Sequence, residues 1–281
     1  MLRKGLALAA LGLAFLAGPV LAATTHEEEK AVSWSFEGPL GQFDKAQLQR
    51  GYKVYREVCS ACHAMEQLSF RNLGQKGGPF YDPKFPNPND NPYVKSLAKD
   101  IQIKDIDGET GDVIQRAGGS ADKFPAPFPN EPAARASNGG ALPPDLSVIA
   151  KAREGGPAYV YSILTGYHDA PAGLTAPPGK HYNPYYPGDL GSFWTGAKGK
   201  VPVGGFIAMP PPLAPGKVTF DDGKPSTVDQ QAKDVVAFLA WAAEPKMEER
   251  KQFGLGAMIY LLIFSGLLWV SYRKIWKNIG H

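Results

Sequence analysis

Twenty consecutive residues, FGLGAMIYLLIFSGLLWVSY at positions 253–272, carry no charge. An α-helix of that length rises about 30 Å, the thickness of a bilayer's hydrocarbon core. Charge bounds the run on both sides: residues 246–251 form a collar before it, and Arg273, Lys274 and Lys277 follow it. Trp269, Tyr272 and Trp276 cluster toward the second boundary, where amphipathic rings settle at the lipid–water interface. Gly254, Gly256 and Gly266 lower helix propensity in water but let neighbouring helices approach closely in lipid. The competing reading, a buried core helix, fits this length poorly, and we read one transmembrane helix. Positive charge after the span predicts a short cytoplasmic tail, residues 273–281.

The other end carries a different signal. Arg3 and Lys4 precede an apolar stretch over residues 6–16, and Val20-Leu21-Ala22 offers the small residues that a signal peptidase accepts. Residues 1–22 therefore read as a secretory signal peptide, with a mature start near Ala23. Residues 23–252 are then an exported head on the periplasmic side of a cell inner membrane, or its organellar equivalent. With the basic ends set aside, this middle holds 25 bases against 27 acids. Such a balance argues against a nucleic-acid partner, which would need a positive face to neutralise phosphates. Glycine and proline, 32 and 26 residues, are too frequent for a plain helical bundle and too aperiodic for collagen.

Only two cysteines are present, and both fall in Cys59-Ser60-Ala61-Cys62-His63. CxxCH is the attachment motif for a c-type haem. Two cysteines three apart can form thioethers to both vinyl groups of one porphyrin, and the next histidine then lies under the iron as proximal ligand. A redox CxxC should follow a strand, yet residues 43–58 read as an amphipathic helix with Leu48, Tyr52, Tyr55 and Val58 on one face. A zinc site would want a second cysteine pair, and none remains. The motif thus predicts one haem c, bound through Cys59 and Cys62 with His63 on the iron.

A sixth ligand can be sought by elimination among five methionines. Met65 is bound to the same side as His63, Met258 lies in the span, Met247 in the collar, and Met1 leaves with the signal peptide. Met209 remains, in Phe206-Ile207-Ala208-Met209-Pro210-Pro211-Pro212-Leu213. The proline run cannot join a helix and holds the chain extended, as suits a strap across a haem face. His168 and His181 compete with it. Bis-histidine ligation would give a lower potential than the Met/His pair.

Four stretches together resemble the cytochrome c1 family. They are residues 58–63 with the attachment motif; Ala136-Ser137-Asn138-Gly139-Gly140-Ala141-Leu142-Pro143-Pro144-Asp145-Leu146-Ser147; Ala152-Arg153-Glu154-Gly155-Gly156 leading to Tyr159-Val160-Tyr161-Ser162-Ile163-Leu164-Thr165-Gly166-Tyr167; and Ala208-Met209-Pro210-Pro211-Pro212-Leu213. With the anchor, the likeness covers essentially the whole mature chain. It implies a mainly α fold: a c-type cytochrome head with long irregular loops plus one C-terminal transmembrane helix. It also implies that Met209 is the sixth ligand and that Arg153 and Tyr159 lie against the haem.

The resemblance further implies electron transfer inside a dimeric ubiquinol–cytochrome c oxidoreductase. The partners would be a cytochrome b subunit, the Rieske iron–sulfur protein as donor and a soluble c-type cytochrome as acceptor. A free-standing membrane-anchored carrier is the alternative, and a haem sensor or peroxidase with an open sixth position is another. Some bacterial relatives carry a disulfide across the loop before the methionine. No cysteine is left for it here, so residues 166–206 must be held by packing and proline stiffness.

On their own chemistry the remaining candidates stay divided. Arg153 suits a haem propionate, since the planar guanidinium binds carboxylates in pairs, but an ordinary surface cation would look the same. Tyr159 is either core or haem edge, and Val160, Ile163, Leu164 and Tyr167 have the spacing of packing residues. Asn138 sits in turn chemistry, and Pro144 either stops a helix or offers its carbonyl to His63. Thr227-x-x-Gln230 is a capping box for a helix running to Ala243, which by the resemblance crosses the helix before CxxCH. Residues 92–104 read as helix-like, and 77–92 and 124–140 as long loops. The net charge of the head favours a basic electron acceptor only modestly, unless Asp105, Asp107, Glu109 and Asp112 gather on one face.

Overall fold

The computed structural model describes residues 26–197 and 199–277. The expected signal peptide, residues 1–22, lies outside the described residues, as does the end of the expected tail. Among the described residues the fold is mostly helical, with two small antiparallel sheets and one long apolar helix at the C-terminal end.

Helix α1, Lys45–Val54, starts at Asp44, whose carboxylate accepts the backbone N–H of Gln47. It buries Leu48, Gly51, Tyr52 and Val54 and passes without a break into a π-helical turn, Tyr55–Cys59. The helix expected over 43–58 is therefore present, and its last turn is widened where the attachment motif begins. Helix α2, Pro92–Lys99, is shorter than the expected 92–104, because residues 102–106 alternate in exposure as a strand does. That strand, β1 (Gln102–Ile106), pairs with β2 (Val113–Ala117), Ile106 opposite Val113. Arg116 ties the hairpin base by ion pairs to Asp105 and Asp122 at 2.5 and 2.6 Å. The segment 124–140 is not all loop: α3, Glu131–Ser137, is capped by Asn130 and carries proline in its first turn, where a missing N–H costs nothing.

After the short α4, Ile149–Ala152, comes α5, Gly156–Thr165. The 166–206 segment then builds its own small core from Leu174, Tyr182 and Leu190, with Trp194 and Phe206 packed against it. Strand β3, His181–Asn183, pairs with β4, Gly205–Ile207, and Gly204 takes φ +104° to make the turn into β4. Buried Asn183 donates to the Ile163 carbonyl at 2.9 Å, and Tyr182 donates to Val203 at 2.7 Å. Packing and hydrogen bonds hold this segment where no disulfide can.

Helix α6, Val228–Ala243, is capped at Thr227, whose hydroxyl accepts from Gln230 N–H. The reciprocal half of the expected box is not made: the Gln230 amide goes to Asp234 instead, at 2.9 Å. The inner face of α6 carries Val235, Phe238, Leu239 and Trp241, all buried. It crosses α1 at Gly51, where the two backbones nearly touch. Beside that crossing Arg50 grips the buried Asp234 carboxylate with two bonds, at 2.8 and 3.1 Å. Helix α5 packs on α6 as well, with Tyr161 donating to Asp229 at 2.5 Å. Helix α7, Met247–Trp276, then leaves the head, and its 253–272 stretch is exposed along nearly its whole length.

Candidate haem-binding site

The geometry of the site starts from the π turn, which turns Cys59, Cys62 and His63 out of the end of α1. The N–H groups of Cys62 and His63 both donate to the Cys59 carbonyl, at 3.1 and 2.9 Å, so the motif is one compact turn. Cys59 is half-buried against the main core, and Cys62 is exposed. Burial pushes the Cys59 thiol up to about 12. Redox-active cysteines are marked by a lowered value, so this sulfur does not suit a dithiol catalyst.

The second stretch of the family likeness lies directly on this turn. His63 Nδ1 stands 2.8 Å from the Pro144 carbonyl, which can only accept, so Nδ1 carries the proton and Nε2 keeps a free lone pair. Burial also lowers the affinity of His63 for a second proton, partly offset by the Pro144 bond. A neutral, oriented imidazole is the form that ligates metals. Three further bonds zip the segments together: Leu146 N–H to Ala64 at 2.8 Å, Glu66 N–H to Asp145 at 2.9 Å, and Gln67 N–H to the buried Ser147 hydroxyl at 3.1 Å. Asn138 has another use. Its amide donates to Ala134 at 2.7 Å, which finishes α3.

Arg153 is exposed and precedes α5; its guanidinium donates to the neighbouring Ala152 carbonyl at 3.2 Å, and its own carbonyl accepts from Gly156 N–H at 3.0 Å. Tyr159 is half-buried on the first turns of α5. Burial raises its phenol, and the positive charge of Arg153 partly offsets that rise.

Met209 follows β4 on the proline strap. Tyr167 donates its hydroxyl to the Met209 carbonyl at 3.0 Å, and Lys217 donates to Pro212 at 2.7 Å. The positive charge of Lys217 partly offsets the rise of the Cys59 thiol. Leu213 of the strap shares the main core with Leu146, Tyr161 and the half-buried Cys59. His168 and His181 both line a cleft of about 440 Å³ together with Pro211 and Leu213 of the strap, and no residue of the CxxCH turn lines it. Tyr167 and Lys217 escaped sequence reasoning. Tyr167 has the spacing of packing residues, and a single lysine after a proline run carries no signal at all.

These donors fit a covalently held haem: two sulfurs on one turn, an oriented neutral imidazole, and a thioether on a stiff strap nearby. The pattern of the cytochrome C1 family matches residues 34–279. The chain belongs to the cytochrome c1 family. Among its relatives, the cytochrome b/c1 of Bradyrhizobium diazoefficiens is 43% identical over 97% of this chain, which spans 39% of that longer protein. The mitochondrial cytochrome c1 haem protein of Saccharomyces cerevisiae is 43% identical over 89% of this chain and 72% of its own length. Cytochrome c1 of Rhodospirillum rubrum is 39% identical over 88% of this chain and 87% of its own. As a member of the cytochrome c1 family, this chain is a membrane-anchored protein that transfers electrons through haem.

Proposed function

We propose that this chain takes one electron at a time from a Rieske iron–sulfur protein and passes it to a soluble c-type cytochrome, as a subunit of a dimeric ubiquinol–cytochrome c oxidoreductase that also holds a cytochrome b. The head, residues 23–252, stands on the periplasmic side of an inner membrane, residues 253–272 span it, and residues 273–281 are cytoplasmic. The observation that carries the reading is the His63–Pro144 bond, which fixes the tautomer a proximal ligand needs. Cys59 and Cys62 hold one haem c, His63 and Met209 ligate its iron, and Arg153 and Tyr159 lie at its edge. Asn138 supports it through the turn it ends, and Pro144 through its carbonyl. When bound, haem c supplies reversible one-electron exchange at its iron.

The chain itself makes or breaks no substrate bond, so catalysis belongs to the whole complex. Its residues tune and aim. The thioether of Met209 favours a higher potential than a second histidine would. Asp105, Asp107, Glu109 and Asp112 all fall on the β1–β2 hairpin, and among the described residues only Asp105 has a cationic partner there. The remaining acids give a basic acceptor a local field, screened beyond about 10 Å in 0.1 M salt.

The function is tested by isolating the protein from its membrane. It is expected to co-purify with cytochrome b and the Rieske protein, and its haem to be reduced by quinol only while the Rieske protein is present. Purification alone, with electrons passing straight to an oxidase, would instead establish a free-standing carrier. The strap has its own check. Tyr167→Phe removes a bond worth about 1–3 kcal/mol from a half-buried carbonyl. Haem attachment should be kept, while the weak near-infrared sulfur-to-iron band fades and carbon monoxide begins to bind the reduced protein.

A further inference from the structure

The first turn of α7 is wired to the same segment that leads into α1. Glu248 accepts the backbone N–H of Phe43 at 2.8 Å, one residue before the N-cap of α1. Lys251 donates to the Phe36 and Gly41 carbonyls at 2.6 and 3.2 Å. Glu248 and Lys251 are three apart, so they leave one face of the helix about 4.5 Å apart along its axis. Met247 between them and the head is buried in the main core. A third tie joins Glu244, just before α7, to Lys151 at 2.8 Å, and Arg250 also reaches Glu244.

The segment that receives these bonds is stiff. Trp34 stacks on Phe36 at 5.6 Å, Phe43 packs tilted against Phe36 at 4.8 Å, and a Cβ on Gly41 would stand 1.9 Å from the Glu37 carbonyl oxygen. The turn at its end presents Leu40, 73% exposed, which lines a small cleft with Gln252 and Leu255. Leu255 belongs to the uncharged span, so Leu40 rests at the level where the bilayer begins. A lysine at a membrane boundary ordinarily extends toward the lipid headgroups. Lys251 turns back and spends its donors on the head.

We propose that Glu248 and Lys251 are positioning residues that lock the haem-bearing helix at a fixed attitude to the membrane, with Leu40 as a foot on the lipid surface. A head joined to its anchor by one flexible link would swivel, since motion between linked bodies is the default unless the junction is tied. Here two ties on one helix face, a buried methionine and an ion pair remove tilt and rotation together. The path from membrane to haem is short: α7, Phe43, Asp44, α1, and the attachment turn at its end. The orientation in which donor and acceptor meet the haem edge is thereby set at the membrane boundary. This inference rests on the haem being held at Cys59, Cys62 and His63.

The test is the linear dichroism of the haem in oriented membrane multilayers holding the whole complex. In Glu248→Leu/Lys251→Met the angular spread of the haem plane is expected to roughly double, with midpoint potential and near-infrared band unchanged. Glu248→Gln/Lys251→Arg, which keeps an acceptor and a donor, should restore the narrow spread. If the double variant does not accumulate, Lys251→Met alone is read the same way. A wild-type spread at full haem content in the ties-removed protein overturns the proposal. Haem content, read from the same spectra, separates that result from any failure of haem attachment.

Discussion

Met209→Leu is expected to abolish the near-infrared sulfur-to-iron band of the oxidised protein and to lower its midpoint potential by a few tenths of a volt, out of the ~0.8 V that axial ligation commands. Leucine has nearly the shape of methionine and no lone pair, so the strap should keep its course. Its anchors are backbone groups that the substitution leaves in place: the Met209 carbonyl on Tyr167 and the Pro212 carbonyl on Lys217. The loss then falls on the iron alone. Carbon monoxide, which a closed Met/His site excludes, should bind the reduced variant readily. Ready binding to the unaltered protein would favour a sensor or peroxidase. A missing band in the unaltered protein, without such binding, would turn attention to His168 or His181, which line one cleft with Pro211 and Leu213 of the strap.

Much of this arrangement is legible without coordinates because its chemistry is concentrated in few residues. Two cysteines and a histidine in one turn admit hardly any second use, and a run of twenty uncharged residues admits little but a membrane. The helices at 45–54 and 228–243 follow from spacing, since each has one face to bury. What escapes is what depends on a partner distant in sequence. Residues 102–104 continue a helical pattern locally, and their strand exists only because 113–117 lies alongside. Helix Glu131–Ser137 hides among prolines that mark loops in general but here occupy its start. The 166–206 segment looks unstructured because its core of Leu174, Tyr182 and Leu190 is too sparse to produce a period. Tyr167 reads as packing, and only the fold reveals that its hydroxyl meets the Met209 carbonyl. The collar at 246–251 reads as a boundary of charge, and its bonds to residues 36–43 span more than two hundred positions.

Gly51→Ala is expected to be the most damaging single change in the head. A Cβ at this position would stand 2.0 Å from the Asp234 carbonyl oxygen and 2.7 Å from Phe238 Cβ. The obstacle is the backbone of α6, which has no rotamer to change, so the two helices must separate. Overpacking of an ordinary core costs about 1–3 kcal/mol, and a forced backbone shift lies at or beyond the top of that range. Separation would also pull Arg50 from the buried Asp234 and part Tyr52 from Phe238, ring centroids 5.7 Å apart, so the losses are coupled. Because α1 carries the attachment turn at its end, a displaced α1 also takes Cys59 and His63 away from Pro144 and the strap. Against a total stability of about 5–15 kcal/mol, the variant should melt well below the parent and accumulate little haem-loaded protein. Gly254→Ala is the matched control. Nothing lies within 4 Å of a Cβ there, and the melting of the head should not move. A Gly51→Ala protein that melts with the parent and keeps its haem would mean that the helices do not cross at this glycine.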